Sequence, residues 1–261
     1  MWGPSSTSRK SLVAAFCCVA ACSSKTAAPP APAPLKVAAA ADLARAFDEL
    51  GGAFAKQESL PKPLFTFGST GLLAKQLIEG APFDVFAAAN VSFADDVLKA
   101  GVCDPASKVL YARGRIVAWS LKSAPKDLKE LAGPAYVKVA IANPEHAPYG
   151  RAAVEALTAA GVYDQVKPKL VFGENVQQAM QFAQSGNAEV ALVALSLATV
   201  SDGNYLTIPS ELHQPIDQAL LVCGKRPEAA RFTQFVNSAS GRAIMRRYGF
   251  LLPGEVVAQG K

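Results

Sequence analysis

Residues 64–72 read Leu-Phe-Thr-Phe-Gly-Ser-Thr-Gly-Leu. The apolar run Leu64 to Phe67 predicts a buried strand, and apolar residues at helical spacing begin at Leu72. Between the two, Gly68-Ser69-Thr70-Gly71 hands strand to helix. Such a junction gathers unpaired backbone N–H groups and two hydroxyls in one place. Donors at a helix N-terminus, with the helix dipole behind them, make an anion pocket.

The flanking sequence repeats this plan. Upstream, Leu35 to Ala38 reads as a strand, and Leu43, Ala46, Phe47, Leu50 and Phe54 follow at helical spacing, with Asp42 at the N-cap position. Downstream, Asp84 to Ala89 reads as a buried strand ending at Asn90, before a helix over about 92–100. Three strand–loop–helix units in a row predict parallel pairing with right-handed crossovers. Ligands then gather beyond the carboxyl ends of the strands, where the loops at Asp42, Ser69-Thr70 and Asn90 fall. Ile116 to Ser120 is a further strand, preceded by Arg113-Gly114-Arg115, which reads as a domain crossing.

A second set of units follows. Val137 to Ile141 leads through a Pro-rich loop, 143–150, into a helix from about Arg151. Leu170 to Phe172 leads through Gly173-Glu174-Asn175 into another helix, and Val190 to Leu195 is one more strand. Ala219 to Val222 and helices over about 227–237 and 240–248 close the chain. The fold class expected is α/β, with two similar lobes, each a mostly parallel sheet flanked by helices. Residues 35–115 and 219–261 are assigned to one lobe and 116–218 to the other. Trp119 and Phe172 are expected in the core, and Asp84 and Asn90 as braces of neighbouring loops.

The start of the chain reads as processing signal. Arg9-Lys10 precede an apolar stretch, 11–21, too short to span a bilayer comfortably, and the stretch ends in Val19-Ala20-Ala21-Cys22-Ser23. This resembles the lipobox of bacterial lipoproteins, which implies cleavage before Cys22, acylation of its thiol and a membrane anchor. Residues 22–34, rich in Pro and Ala, read as an extended tether. Residues 1–21 are thus expected to be a lipoprotein signal peptide.

Composition narrows the possibilities. The formal charge of +5 includes Arg9 and Lys10, so the body carries only a mild positive balance, with no like-charge run suggesting nucleic acid. Of five cysteines, Cys17 and Cys18 fall in the signal and Cys22 in the lipobox. Cys103 and Cys223 remain, and sequence alone leaves open whether they pair. There is no C-x-x-C, and the two histidines, His146 and His213, are far apart, so no metal site is expected.

LKVAAAADL at 35–43, FGSTG at 67–71, GAPFDVFAAAN at 80–90, IANPEHAPYGRAA at 141–153, GENVQQA at 173–179, VALVALS at 190–196 and RRYGF at 246–250 together resemble the periplasmic molybdate-binding proteins of ABC transporters. The resemblance runs in order from about Leu35 to Pro253. It implies a two-lobed, type II-like periplasmic binding fold with the lobes joined by two strand crossings. It also implies a monomer at the periplasm or cell surface that needs no cofactor and delivers molybdate or tungstate to a permease and its ATPase. Carried over residue by residue, it places ligand contacts at Asp42, at the hydroxyls of Ser69 and Thr70, and at the main-chain N–H groups of Tyr149 and Val176.

Two positions depart from what the resemblance implies. Many relatives have Ser or Asn at Asp42, and a carboxylate beside a dianion is repulsive unless it turns away or is protonated. One reading makes Asp42 a helix cap offering only its N–H. The other lets it accept a proton from the ligand, favouring an anion such as phosphate. Ala194 lacks the hydroxyl of the tyrosine that some relatives carry. Another oxyanion, phosphate or sulfate, on the same scaffold is therefore the alternative. A secreted hydrolase using Ser69 or Ser196 is disfavoured, because there is no Gly-x-Ser-x-Gly elbow and no histidine placed beside a nucleophile.

Overall fold

The computed structural model describes residues 1–3 and 32–255. Residues 1–31 and 32–261 are separate units. Of the first, only Met1 to Gly3 are described, and they lie outside any helix or strand. The expected signal segment and lipidated Cys22 lie outside the described residues, as does the tether up to residue 31. Among the described residues, no helix is long and apolar enough to cross a membrane.

The body begins with β1 (Lys36–Ala40), α1 (Ala44–Glu58), β2 (Leu64–Gly68), α2 (Thr70–Ile78), β3 (Val85–Ala88), α3 (Val91–Lys99) and β4 (Val109–Gly114). It continues through β5 (Ile116–Ser120), β6 (Val139–Ala142), α4 (Pro148–Ala159), the short α5 (Tyr163–Val166), β7 (Leu170–Gly173), α6 (Val176–Gln184), β8 (Val190–Ala194) and the short α7 (Leu195–Ala198). The last elements are β9 (Asn204–Thr207), β10 (Ile216–Val222), α8 (Pro227–Asn237) and α9 (Ala239–Arg247).

Two five-stranded sheets result, ordered β2-β1-β3-β10-β4 and β7-β6-β8-β5-β9. In the first, β1 pairs in parallel with β2 and β3, and β10 runs antiparallel to β3 and β4. In the second, β6 pairs in parallel with β7 and β8, and β5 runs antiparallel to β8 and β9. Each sheet is therefore mixed, with a single strand reversed. That strand is the one the chain enters on arriving from the other sheet. The chain crosses at Arg115 and again between β9 and β10.

Burial follows the period of two that a covered sheet imposes. Val37, Ala39, Val85 and Ala87 face the larger core, while Ala38, Phe86 and Ala88 face a smaller one built with Leu73, Leu77, Ala94 and Val97 of α2 and α3. Phe47 and Phe54 of α1 meet Phe232 of α8 edge-on, with ring centroids 6.0 and 5.2 Å apart, which returns the C-terminal helices to the first sheet.

Several expectations need correction. Phe172 is 52% exposed, because β7 is an edge strand and this position faces away from the covering helix; Trp119 is fully buried as expected. The strand expected from Ala219 starts at Ile216, so Asp217 and Gln218 belong to the first sheet. β4, despite the apolar run Val109-Leu110-Tyr111-Ala112, and β9, where only Tyr205 and Leu206 are apolar, are strands not expected from the sequence. Asp84 acts as a brace, its Oδ2 accepting from the Lys36 N–H at the start of β1 at 2.8 Å, whereas Asn90, expected to brace a neighbouring loop, instead caps its own helix α3 through the Ser92 N–H at 2.7 Å. Cys103 and Cys223 form a disulfide that joins the loop before β4 to the end of β10.

Candidate functional site

The carboxyl ends of β1, β2 and β3 face those of β6, β7 and β8 across one cleft. The cavity at its centre is lined by Ala40, Asp42, Ser69, Thr70, Tyr149 and Val176, among others. All five residues singled out as ligand contacts meet there. The cavity is small, about 10 Å³, enough for one water-sized sphere, so the lobes are drawn nearly shut.

Local sequence decides which N–H groups face this space. At the start of α6, Asn175 Oδ1 accepts from the N–H groups of Gln177 and Gln178, both at 3.0 Å. The Val176 N–H is left over. At the start of α4, Pro148 has no N–H, and those of Gly150 and Arg151 go to the Ala147 carbonyl at 3.0 and 3.1 Å. The Tyr149 N–H has no partner among the described residues. At α2, which begins at Thr70 rather than Leu72, Thr70 Oγ1 accepts from the Ala89 N–H at 3.2 Å, so its own proton remains available. The helix starts thus present donors toward the cavity from both lobes, which is the composition an anion requires.

Ser69 departs from expectation in its hydroxyl. The hydroxyl donates to the His146 carbonyl at 2.6 Å, and His146 Nδ1 lies 2.7 Å from Ser69 Oγ, so the fold does bring a histidine beside this serine, contrary to the sequence expectation. A hydroxyl has one proton, so in this closed arrangement the side chain joins the lobes. The Gly71 N–H also donates to the His146 carbonyl, at 2.9 Å. Gly71 suits this approach because a Cβ there would stand 2.9 Å from that carbonyl and from Phe93. His146 therefore orients a loop, as its position in Pro-Glu-His suggests, and Arg151 stacks over Phe93 at 4.7 Å beside it.

Asp42 is not a helix cap. It lies in a short 3-10 turn ahead of α1, and no side chain caps that helix. It is fully buried, and its Oδ2 accepts from the Tyr149 hydroxyl at 2.9 Å and from Gln218 Nε2 at 2.6 Å. Oδ1 has no partner among the described residues. Burial pushes the carboxyl up from 3.8 to about 6, against the pull of the Gln218 and Tyr149 bonds. Burial, then the Asp42 charge, raises Tyr149 and Tyr111 well above the usual phenol value. Ser196, far from acting as a nucleophile, donates its hydroxyl to the Asp42 carbonyl at 2.7 Å. Gly114 leaves the space that the Tyr149 hydroxyl fills, since a Cβ there would sit 2.1 Å from it.

Gln218, Tyr111 and the phenol of Tyr149 are thus site neighbours that sequence reasoning missed. The one local signal was an amide next to the apolar run of β10. Among the described residues, no cluster of three or more His, Cys, Asp or Glu is arranged to hold a metal ion.

The profile of the bacterial extracellular solute-binding protein family matches residues 35–251. The chain is 35% identical to the molybdate-binding protein ModA of Rhodobacter capsulatus over 86% of this chain and 91% of that protein. It is 28% identical to a putative ABC transporter substrate-binding lipoprotein of Bacillus subtilis, over 90% of this chain and 94% of that one. Among solved structures, it superimposes on the periplasmic molybdate-binding protein of Azotobacter vinelandii with a TM-score of 0.79 and 31% identity, over 84% of this chain and 99% of that one.

Proposed function

The chain belongs to the bacterial extracellular solute-binding proteins, and from that premise we propose that it captures molybdate, and tungstate with it, between its lobes and delivers it to an ABC permease. Binding is its whole chemistry, and no bond is broken. One observation carries the reading: helix starts from both lobes turn donors into a single cavity lined by Asp42, Ser69, Thr70, Tyr149 and Val176. A tetrahedral oxyanion offers four acceptor corners, and each charge-assisted donor contributes about 1.5–3 kcal/mol. An anion that bridges two lobes stabilises the closed form over the open one by its differential contacts.

In this reading the first lobe comprises residues 35–115 and, of the described residues, 216–255, and the second 116–215, the border following sheet membership. The Thr70 hydroxyl and the N–H groups of Tyr149 and Val176 hold the anion, and Ser69 contributes chiefly by closing the lobes.

Cys22 carries the lipid that anchors the protein outside the cytoplasm. Support for this comes from the lipobox-like sequence and the likeness to a Bacillus subtilis lipoprotein. Intact-mass measurement of the mature protein is expected to show an acylated Cys22 at the N-terminus. A mass matching an unmodified chain would reject the anchor.

Calorimetric titration of ligand-stripped protein tests the ligand. Molybdate and tungstate are expected to bind tightly at one per chain, and sulfate and phosphate far more weakly. A clear response to phosphate with none to molybdate would keep the fold and reject the assignment.

A further inference from the structure

We propose that Asp42 enters the closed, loaded cleft as a neutral carboxylic acid, taking one proton from solvent onto Oδ1, where it stays and makes a hydrogen bond to an oxygen of the bound anion. This rests on the reading of the cleft as an oxyanion site.

The hydrogen bonds of Asp42 are one-sided. Oδ2 accepts from both Tyr149 and Gln218, while the buried Oδ1 has no partner among the described residues. That division fits an acid better than an anion. Oδ2 is the carbonyl oxygen that accepts, and Oδ1 is the hydroxyl that needs an acceptor. Asp42 lines the cavity, where a tetrahedral anion supplies acceptors.

Nothing nearby neutralises the ionised form. The 3-10 turn that holds Asp42 packs against α1, α6, α7 and β2. β2, α6 and α7 carry no ionisable side chain, and Arg45, Asp48 and Glu49 near the start of α1 are exposed to solvent. The remaining groups facing it are the phenols of Tyr149 on α4 and Tyr111 on β4, and the neutral amide of Gln218 on β10. His146 is turned to Ser69. Burial, working against the Gln218 and Tyr149 hydrogen bonds, brings the carboxyl to about 6, and a dianion alongside raises it further.

The step balances simply. The carboxylate of the open form gains a proton from water or buffer, one O–H bond forms, and its charge goes from −1 to zero. Opening returns the proton. The neutral acid completes a cage made only of donors, which still rejects an anion carrying its own O–H.

The sign follows from which form has the raised value. The closed form does, so its advantage is complete below the ordinary carboxyl value of 3.8 and is lost as pH rises through about 6. The charge of the bound anion moves that upper limit toward neutrality.

Molybdate is titrated by calorimetry into the stripped full chain, in buffers of unlike ionisation enthalpy, from about pH 5.5 to pH 8, with Asp42→Asn alongside. The native protein is expected to take up close to one proton per anion within the window, its Kd weakening up to about tenfold per pH unit. Asp42→Asn is expected to take up none beyond the anion's own, with a nearly flat profile. Asp42→Ser serves if the amide variant folds poorly. Molybdate binding by the native chain without proton uptake, or the same uptake and slope in the variants, would overturn the proposal and leave the oxyanion site standing. Absence of molybdate binding at every pH would overturn both.

Discussion

The Tyr149 hydroxyl reaches across the cleft to Asp42 while its own N–H stands at the start of α4 facing the cavity. In the function proposed, this one residue both holds the anion and closes the lobes. Removing only the hydroxyl separates the two roles. Tyr149→Phe leaves the N–H in place but deprives a buried carboxyl oxygen of one of its two donors, a loss of about 1–3 kcal/mol. Only the closed form makes that bond, so the Kd for molybdate is expected to weaken by roughly tenfold to a hundredfold. An unchanged Kd would mean the bond adds nothing to closure. Sequence inspection found Tyr149 through its place in Ala-Pro-Tyr-Gly, but only for its main chain. The phenol's role stayed hidden because its partners, Asp42 and Gln218, lie 107 and 69 residues away.

At the scale of elements, helix starts line the cleft. In α6 the Asn175 side chain takes two of the free N–H groups and leaves that of Val176 facing the cavity. Asn175→Ala frees all of them, and a lost cap costs about 1 kcal/mol. For a body of this size the melting temperature should fall by roughly 2–4 °C, with weaker molybdate binding as the first turn frays. A variant with native melting and native affinity would count against this role for the cap. Asx capping is local, so the Asn-Val-Gln-Gln pattern was readable in advance. The supposed cap at Asp42 was not, because the chain tightens into a 3-10 turn there and swings the carboxylate into the interior. The same limit applies to strands. Buried runs such as Val190 to Ala194 announce themselves, whereas β4 and β9 owe their pairing to neighbours distant in sequence.

At the scale of the whole molecule, the fold turns the carboxyl strand ends of two similar sheets toward one cleft and passes the chain between the sheets twice. Each reversed strand begins where a crossing ends, so Gln218 on β10 reaches the floor of the cleft from the hinge side. The disulfide between Cys103 and Cys223 spans 120 residues of chain and lies within the first lobe, so it braces that lobe without linking it to the other.

Apart from β4 and β9, the order of strands and helices, the two-lobed plan and the convergence of loops at carboxyl strand ends were encoded locally, in apolar periodicity and in Gly-Ser-Thr-Gly and Asn caps. Those signals act over a few residues, and the handedness of crossovers does the rest. The state of Asp42, the commitment of the Ser69 hydroxyl to His146 and the exposure of Phe172 depend on which surfaces meet after folding. Burial and hydrogen-bond partners are properties of groups brought together from far along the chain, so they took definite form only in the folded molecule.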